Sequence, residues 1–256
     1  MNMAPTNILA ATAMPTLMRK CRAWLMVLPL LASCIAQAAG NLDIKLSIGA
    51  NNYSWTPAIL DAGDGTYKVN DVSYNPLGAS LFCYNMTLDY DPFISASVDV
   101  VNNTLAVQNY TLTFTLPISP ALPFSSVIGG STQGGLTDAN FDSVGTLSTV
   151  GANAMYYGQI DGVNVLSSAL LAAPKSILVP FQGGSASTNA SFGLPGPTQP
   201  GPAALTSIGI QHQFSLTPGD RATFTSFFVV TAVPEPGSLS LLAIGGLAML
   251  AYRRRR

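Results

Sequence analysis

The chain has 256 residues, of which 48% are hydrophobic and 9% charged, against roughly 25% charged residues in an average soluble domain. Seven of the eleven basic residues lie at the two ends, as Arg19, Lys20, Arg22 and Arg253 to Arg256. Between Gly40 and Val233 only Lys45, Lys68, Lys175 and Arg221 face eleven Asp, a net of −7 that excludes a nucleic-acid partner held by a basic face. Few long charged side chains and much Ser, Thr, Asn and Gly argue against a helical protein. Plentiful apolar residues with modest net charge argue against disorder.

Residues 1–38 read as a signal peptide region. Arg19, Lys20 and Arg22 form a positive n-region over 19–22, and Ala23 to Ala32 is apolar. Ala36-Gln37-Ala38 supplies the small-x-small pattern of signal peptidase, with cleavage expected after Ala38. Ten apolar residues are too few for a stable bilayer anchor. Met14 or Met18 is an alternative start, and Leu31-Ala32-Ser33-Cys34 resembles a lipoprotein box in which Cys34 would carry the lipid.

From Gly40 to Ala232 period-two alternation dominates. Ile44, Leu46 and Ile48 alternate with Lys45 and Ser47. Phe82, Tyr84, Met86, Leu88 and Tyr90 are expected on one face, with Cys83, Asn85, Thr87 and Asp89 on the other. Ile94, Ala96, Val98 and Val100 follow, then a turn at Asn102-Asn103 and a strand with Tyr110, Leu112, Phe114 and Leu116 inward. Leu166 to Ala173 allows a short helical turn. Gly193 to Pro202, with four Pro and three Gly, reads as a mobile surface loop. Ile208, Ile210, His212, Phe214 and Leu216 form another inward face, and Pro218-Gly219-Asp220 turns the chain into a strand from Ala222 to Val230. Such strands, joined by turns and not by helices, predict an all-β antiparallel β-sandwich of Greek-key or jelly-roll-like type.

The same span offers little chemistry. It holds one His, one Cys and no Glu, and it lacks HExxH, P-loop and Gly-x-Ser-x-Gly motifs. His212 is in register with core residues, so a structural histidine is expected and not a general base. Cys83 has no partner once Cys21 and Cys34 leave with the signal, so a packed thiol is expected. Asp138, Asn140 and Asp142 carry the alternating oxygens of a calcium loop, without the Gly at position six or the acid at position twelve that an EF-hand needs. Asp61-Ala62-Gly63-Asp64-Gly65 and Asp89-Tyr90-Asp91 are further candidates. Turn chemistry is the leading reading for each, with a weak calcium site the alternative.

The C-terminal residues 233–256 are the most specific part of the chain. Val233-Pro234-Glu235-Pro236 resists helix and ladder. An apolar transmembrane helix is expected over 238–252, and Arg253, Arg254, Arg255 and Arg256 hold its far end in the cytoplasm. Its apolar stretch from Leu239 to Tyr252 covers roughly 21 Å of a roughly 30 Å hydrocarbon core, which snorkelling arginines can extend. This tripartite tail resembles the PEP-CTERM sorting signal of Gram-negative bacteria. The resemblance implies an inner-membrane precursor cut near Pro-Glu-Pro by an exosortase, then a cell-surface or extracellular product accompanying exopolysaccharide and biofilm. Gln108 to Pro117 is similar to ectodomains found with such tails. The resulting expectation is a non-enzymatic structural or adhesive protein in contact with extracellular polysaccharide. The alternatives are a carbohydrate-, calcium- or ice-binding module and a polysaccharide hydrolase.

Overall fold

The computed structural model describes residues 40–233, together with Gly245, Arg253 and Arg254. Strands begin at once, because alternate residues from Leu42 to Ile48 are apolar and fully or nearly fully buried. The first half comprises β1 (Asp43–Ile48), β2 (Asn51–Trp55), β3 (Ile59–Asp61), β4 (Tyr67–Val69), β5 (Val72–Tyr74) and β6 (Ala79–Asp89). The long strands β7 (Phe93–Asn102), β8 (Gln108–Pro117) and β9 (Ser126–Thr137) follow. Shorter ones come next: β10 (Gly145–Ser148), β11 (Tyr156–Ile160), β12 (Val163–Asn164) and β13 (Ser176–Val179). The last are β14 (Ser185–Phe192), β15 (Gln199–Gly201), β16 (Ser207–Leu216) and β17 (Arg221–Ala232).

All pairings are antiparallel and fall into two sheets. The first, sheet A, is eight-stranded with the order β12-β11-β16-β8-β1-β2, and β10 and β13 attach beside β16. The second, sheet B, is nine-stranded with the order β14-β9-β17-β7-β6-β4-β3, with β15 on β9 and β5 on β6. The inner faces meet in one core. Phe214 on β16 lies 4.9 Å from Phe224 on β17, ring to ring, and Tyr110 stacks on Phe214 at 5.3 Å. Each fully buried side chain of this size contributes about 1.5–3 kcal/mol. The two-sheet antiparallel expectation is met, and among the described residues all the strands and the buried core lie within 40–233, a span that holds a complete two-sheet core of its own.

Alternation in β1, β7, β8 and β16 follows the sequence reading, with Tyr110, Leu112, Phe114 and Leu116 fully buried. Strand β6 does not follow it. A bulge between Tyr84 and Thr87 inserts Asn85, whose φ of 51° is left-handed. The extra residue reverses the pleat. Leu81 and Cys83 therefore face the core ahead of the bulge, Met86 and Leu88 face it beyond, and Phe82 is 43% exposed. The stretch from Gly193 to Pro202 is also more ordered than a plain loop, because β15 pairs Gln199 to Ile128 and Gly201 to Ser126. The helical turn expected from Leu166 is a 3-10 turn over Leu166–Ser168.

The corner between β7 and β8 is set by Asn102, which is fully buried. Its Nδ2 donates to the carbonyls of Ala106, Leu216 and Thr217, and its Oδ1 accepts from the Thr104 amide and hydroxyl. Packing demands glycine at position 158. A Cβ on Gly158 of β11 would fall 2.4 Å from the Phe228 ring.

Candidate functional site

Three places carry polar chemistry. The first is the loop after β9. Asp138 is fully buried, and its carboxylate accepts from the backbone N–H of Asp142 at 3.3 Å and of Ser143 and Gly183 at 3.0 Å. Asn140 Nδ2 donates to Asp142 Oδ2 and to the Pro218 carbonyl, both at 2.9 Å, and Asp142 Oδ1 accepts from the Val144 amide. Phe141 and Ser143 adopt left-handed φ, which these side-chain bonds hold in place. The structure adds a residue that sequence reasoning missed: Asp220, from the turn before β17. Burial raises its pKa, a bond from the Thr217 hydroxyl opposes that, and the charges of Asp138 and Asp142 raise it further. Asp138, Asn140 and Asp142 thus come together, with their oxygens engaged in closing the loop. Among the described residues no group of three or more His, Cys, Asp or Glu is arranged to hold a metal ion. The other Asp candidates cap turns. Asp61 accepts from the Gly63 amide, Asp64 from the Thr66 amide and hydroxyl, and Asp89 from the Asp91 amide.

The second place is a buried polar chain between the sheets. Thr132 Oγ1 on β9 lies 2.7 Å from Ser226 Oγ on β17, which lies 3.2 Å from His212 Nε2 on β16. The imidazole stacks on Phe224 at 4.4 Å and meets Tyr156 edge-on at 5.7 Å. Burial pushes its pKa down to about 3, and the pull of the Met155 carbonyl is too weak to offset this. That carbonyl already accepts from the Gln213 amide, and His212 Nδ1 forms no hydrogen bond of good geometry. His212, Ser226 and Thr132 are all within 3% of full burial, so this polar network is closed to solvent. Cys83 is likewise sealed, its thiol pushed up to about 12 by burial.

The third place is the outer face of sheet B. Register puts Asn189, Gln133, Thr225, Ser97 and Tyr84 in one row across five strands. The adjacent row is Ser187, Gly135, Thr223, Asp99 and Phe82. Five strands at their usual spacing make a platform roughly 19 Å wide. Its hydroxyls and amides are neutral, and Asp99 is balanced by Arg221 at 3.7 Å and a bond from the Tyr84 hydroxyl at 3.2 Å. Phe93 and Phe227, 6.2 Å apart, add apolar area to the same face. Sequence reasoning had not isolated this array, because it is assembled from strands far apart in the chain.

The domain leads directly into the tail. Strand β17, central in sheet B, ends at Ala232, and the exposed Val233 donates its amide to the Ser125 carbonyl. Pro234, Glu235, Pro236, Arg255, Arg256 and the signal-cleavage residues Ala36 and Ala38 lie outside the described residues. So does the helix expected over 238–252, apart from Gly245, and among the described residues no helix is long and apolar enough to cross a membrane.

The fold and its continuation define a class: an all-β, two-sheet domain with a C-terminal appendage attached to a central strand. Residues 232–256 match the PEP-CTERM protein-sorting motif family. The chain is accordingly a PEP-CTERM sorting domain-containing protein. The motif implies a membrane-anchored precursor, an exosortase as processing partner, and export to the cell surface. No curated protein matches the chain. Among solved structures it is similar to the K1 cleaved adhesin domain of Lys-gingipain from Porphyromonas gingivalis W83, at 15% identity and a TM-score of 0.23. That alignment covers 64% of this chain and 99% of the other.

Proposed function

We propose that this protein is a non-enzymatic structural or adhesive component of an exopolysaccharide or biofilm matrix, delivered by exosortase processing. The sorting motif at residues 232–256 carries the reading, because it assigns the domain to the exterior of the cell. The neutral hydroxyl, amide and aromatic platform on sheet B supports polymer contact. Hydrated sugar chains offer donors, acceptors and apolar C–H faces that match such groups without net charge. The burial of His212 supports a non-enzymatic role, since it removes the span's one histidine from solvent.

Two experiments test the two halves. Replacing Glu235 with Ala, or deleting Leu239 to Arg256, is expected to leave an unprocessed or mislocalised chain. Unchanged processing and location would refute exosortase sorting. Residues 40–233 are expected to bind the producer's own polysaccharide, and Thr225→Lys with Gln133→Glu on the platform is expected to weaken that binding. Release of new reducing ends would overturn the non-enzymatic reading in favour of a hydrolase. Binding abolished by chelator and by Asp138→Asn would favour a calcium-dependent module.

A further inference from the structure

The free edge of sheet B is unlike the other sheet margins. Strand β14 pairs with β9 along one side only, and no backbone group of residues 185–192 bonds any other part of the described chain. Strand edges left open in this way are templates for another strand, and proteins ordinarily blunt them with charge, proline, bulges or short length. The other margins are blunted. Strand β3 is three residues long and ends in Asp61, β12 has two residues, and β13 is flanked by Pro174-Lys175 and Pro180. The five residues of β2 end just before Thr56-Pro57, and Trp55 is stacked on Tyr74 at 4.3 Å. Strand β14 has eight residues, Ser-Ala-Ser-Thr-Asn-Ala-Ser-Phe, with no charge, proline or bulge. Its neighbour β9 is also uncharged.

We infer that β14 is a self-association edge, joining a second copy of this chain in antiparallel fashion so that the two sheets B become continuous. A second copy fits for three reasons. An open edge has alternating donors and acceptors that another open edge of the same kind satisfies. The absence of charge on β14 and β9 means that a two-fold axis brings no like charges together. Side-chain size also complements itself. A register centred on Asn189 sets Ser187 opposite Ser191, Thr188 opposite Ala190, and the half-buried Phe192 opposite the small Ala186 of the other copy. All residues from Ala186 to Phe192 are then paired. The two β17 strands run in opposite directions in such a dimer, so the Val233 ends leave from opposite ends of the joined sheet. This arrangement suits chains already cut free of their tails, and it turns one polymer-contacting platform into a bivalent one.

The test needs no polysaccharide, so its outcome is separate from that of the matrix reading. Sedimentation of residues 40–233 over a wide concentration series is expected to show a monomer–dimer equilibrium. The triple variant Ser187→Lys, Asn189→Lys, Ser191→Lys places lysine against lysine and is expected to associate roughly a hundredfold more weakly. The matching triple Asp variant is expected to do the same, and an equimolar mixture of the two is expected to recover the dimer. A wild-type chain that stays monomeric overturns the inference, as does a Lys variant that dimerises like wild type or a mixture that does not associate. Should the triple variants fail to fold, Asn189→Cys decides. It is expected to form a disulfide-linked dimer on oxidation, while Thr223→Cys in the middle of the platform does not, and equal cross-linking of the two overturns the inference.

Discussion

Protonation of His212 should control the acid stability of the domain. The folded chain holds this imidazole neutral, with its pKa depressed to about 3 by burial against Phe224 and Tyr156. The unfolded chain protonates it near the ordinary value of 6.5. Below that value the unfolded state binds a proton that the folded state refuses, so stability falls with falling pH until the folded value is reached. Well inside this window each pH unit costs about 1.4 kcal/mol, and from about pH 7.5 to about pH 4.5 the loss comes to about 2.7 kcal/mol. Asp220 works in the opposite sense. Its raised folded pKa contributes stability at low pH that is lost as pH rises through that value, which flattens the acid end of the curve. Urea denaturation from about pH 7.5 to about pH 4.5, run in an Asp220→Asn background, isolates the histidine. The expected result is a slope close to one proton for His212 and a nearly flat profile for His212→Gln. An unchanged slope in the variant, or a flat profile with His212 present, would refute the reasoning.

Three further outcomes follow from packing. Gly158→Ala puts a methyl 2.4 Å from the Phe228 ring and is expected to cost about 3 kcal/mol, read as a lower urea midpoint; combining it with Phe228→Leu should recover part of that loss, and strict additivity would count against the clash. Asn102→Ala strips the donors from the carbonyls of Ala106, Leu216 and Thr217 and is expected to cost about 3 kcal/mol by the same measurement. Cys83, 1% exposed with its thiol pushed up to about 12, is expected to react with alkylating reagents only through global opening. Its labelling rate should therefore rise in step with unfolding in urea, and rapid labelling of the native domain would contradict the burial of β6.

The parts of the fold that were legible in the sequence are those where burial alone decides which side a residue faces. Strands β1, β7, β8 and β16 each alternate mostly apolar residues with outward ones such as Ser, Thr, Lys, Asp or Gln, and each lies on a half-solvated sheet. Strand β6 defeated the same reading because apolar residues stand on both sides of Asn85. The run Phe82-Tyr84-Met86-Leu88 looks like one face although the bulge divides it between two. Strands β9 and β14 carried almost no periodic signal. Glycine and alanine fill several of their inward positions because groups from other strands occupy the space: the Tyr156 hydroxyl, the Phe192 ring and the Phe227 carbonyl all approach Gly130. The Asp138 loop was legible as turn chemistry because its bonds to the amides of Asp142, Ser143 and Val144 are local. Asp220 was not, since it reaches that loop through the β16–β17 connection, and no local pattern records so distant a neighbour.

The placement of charge links the composition to the proposed role. Every Asp but Asp99 stands at a strand end or in a turn, and many of these accept hydrogen bonds from backbone amides of their own turn. The acidic balance therefore arises from turn closure, and it is concentrated at the loops that connect the sheets. Strands β9 and β14 carry no charge, and Asp99 within sheet B is balanced by Arg221. Repulsion between molecules is greatest where loops would approach one another and weakest where the platform or the edge would meet a partner. A matrix protein needs both properties at once. It must stay dispersed while it is secreted, and it must make contact through surfaces whose hydrogen bonds a neutral polymer or a second copy can satisfy. Had the same Asp residues been set on the platform of sheet B, the fold could have been retained, but neutral polymer contact and edge pairing would each have had to overcome like-charge repulsion.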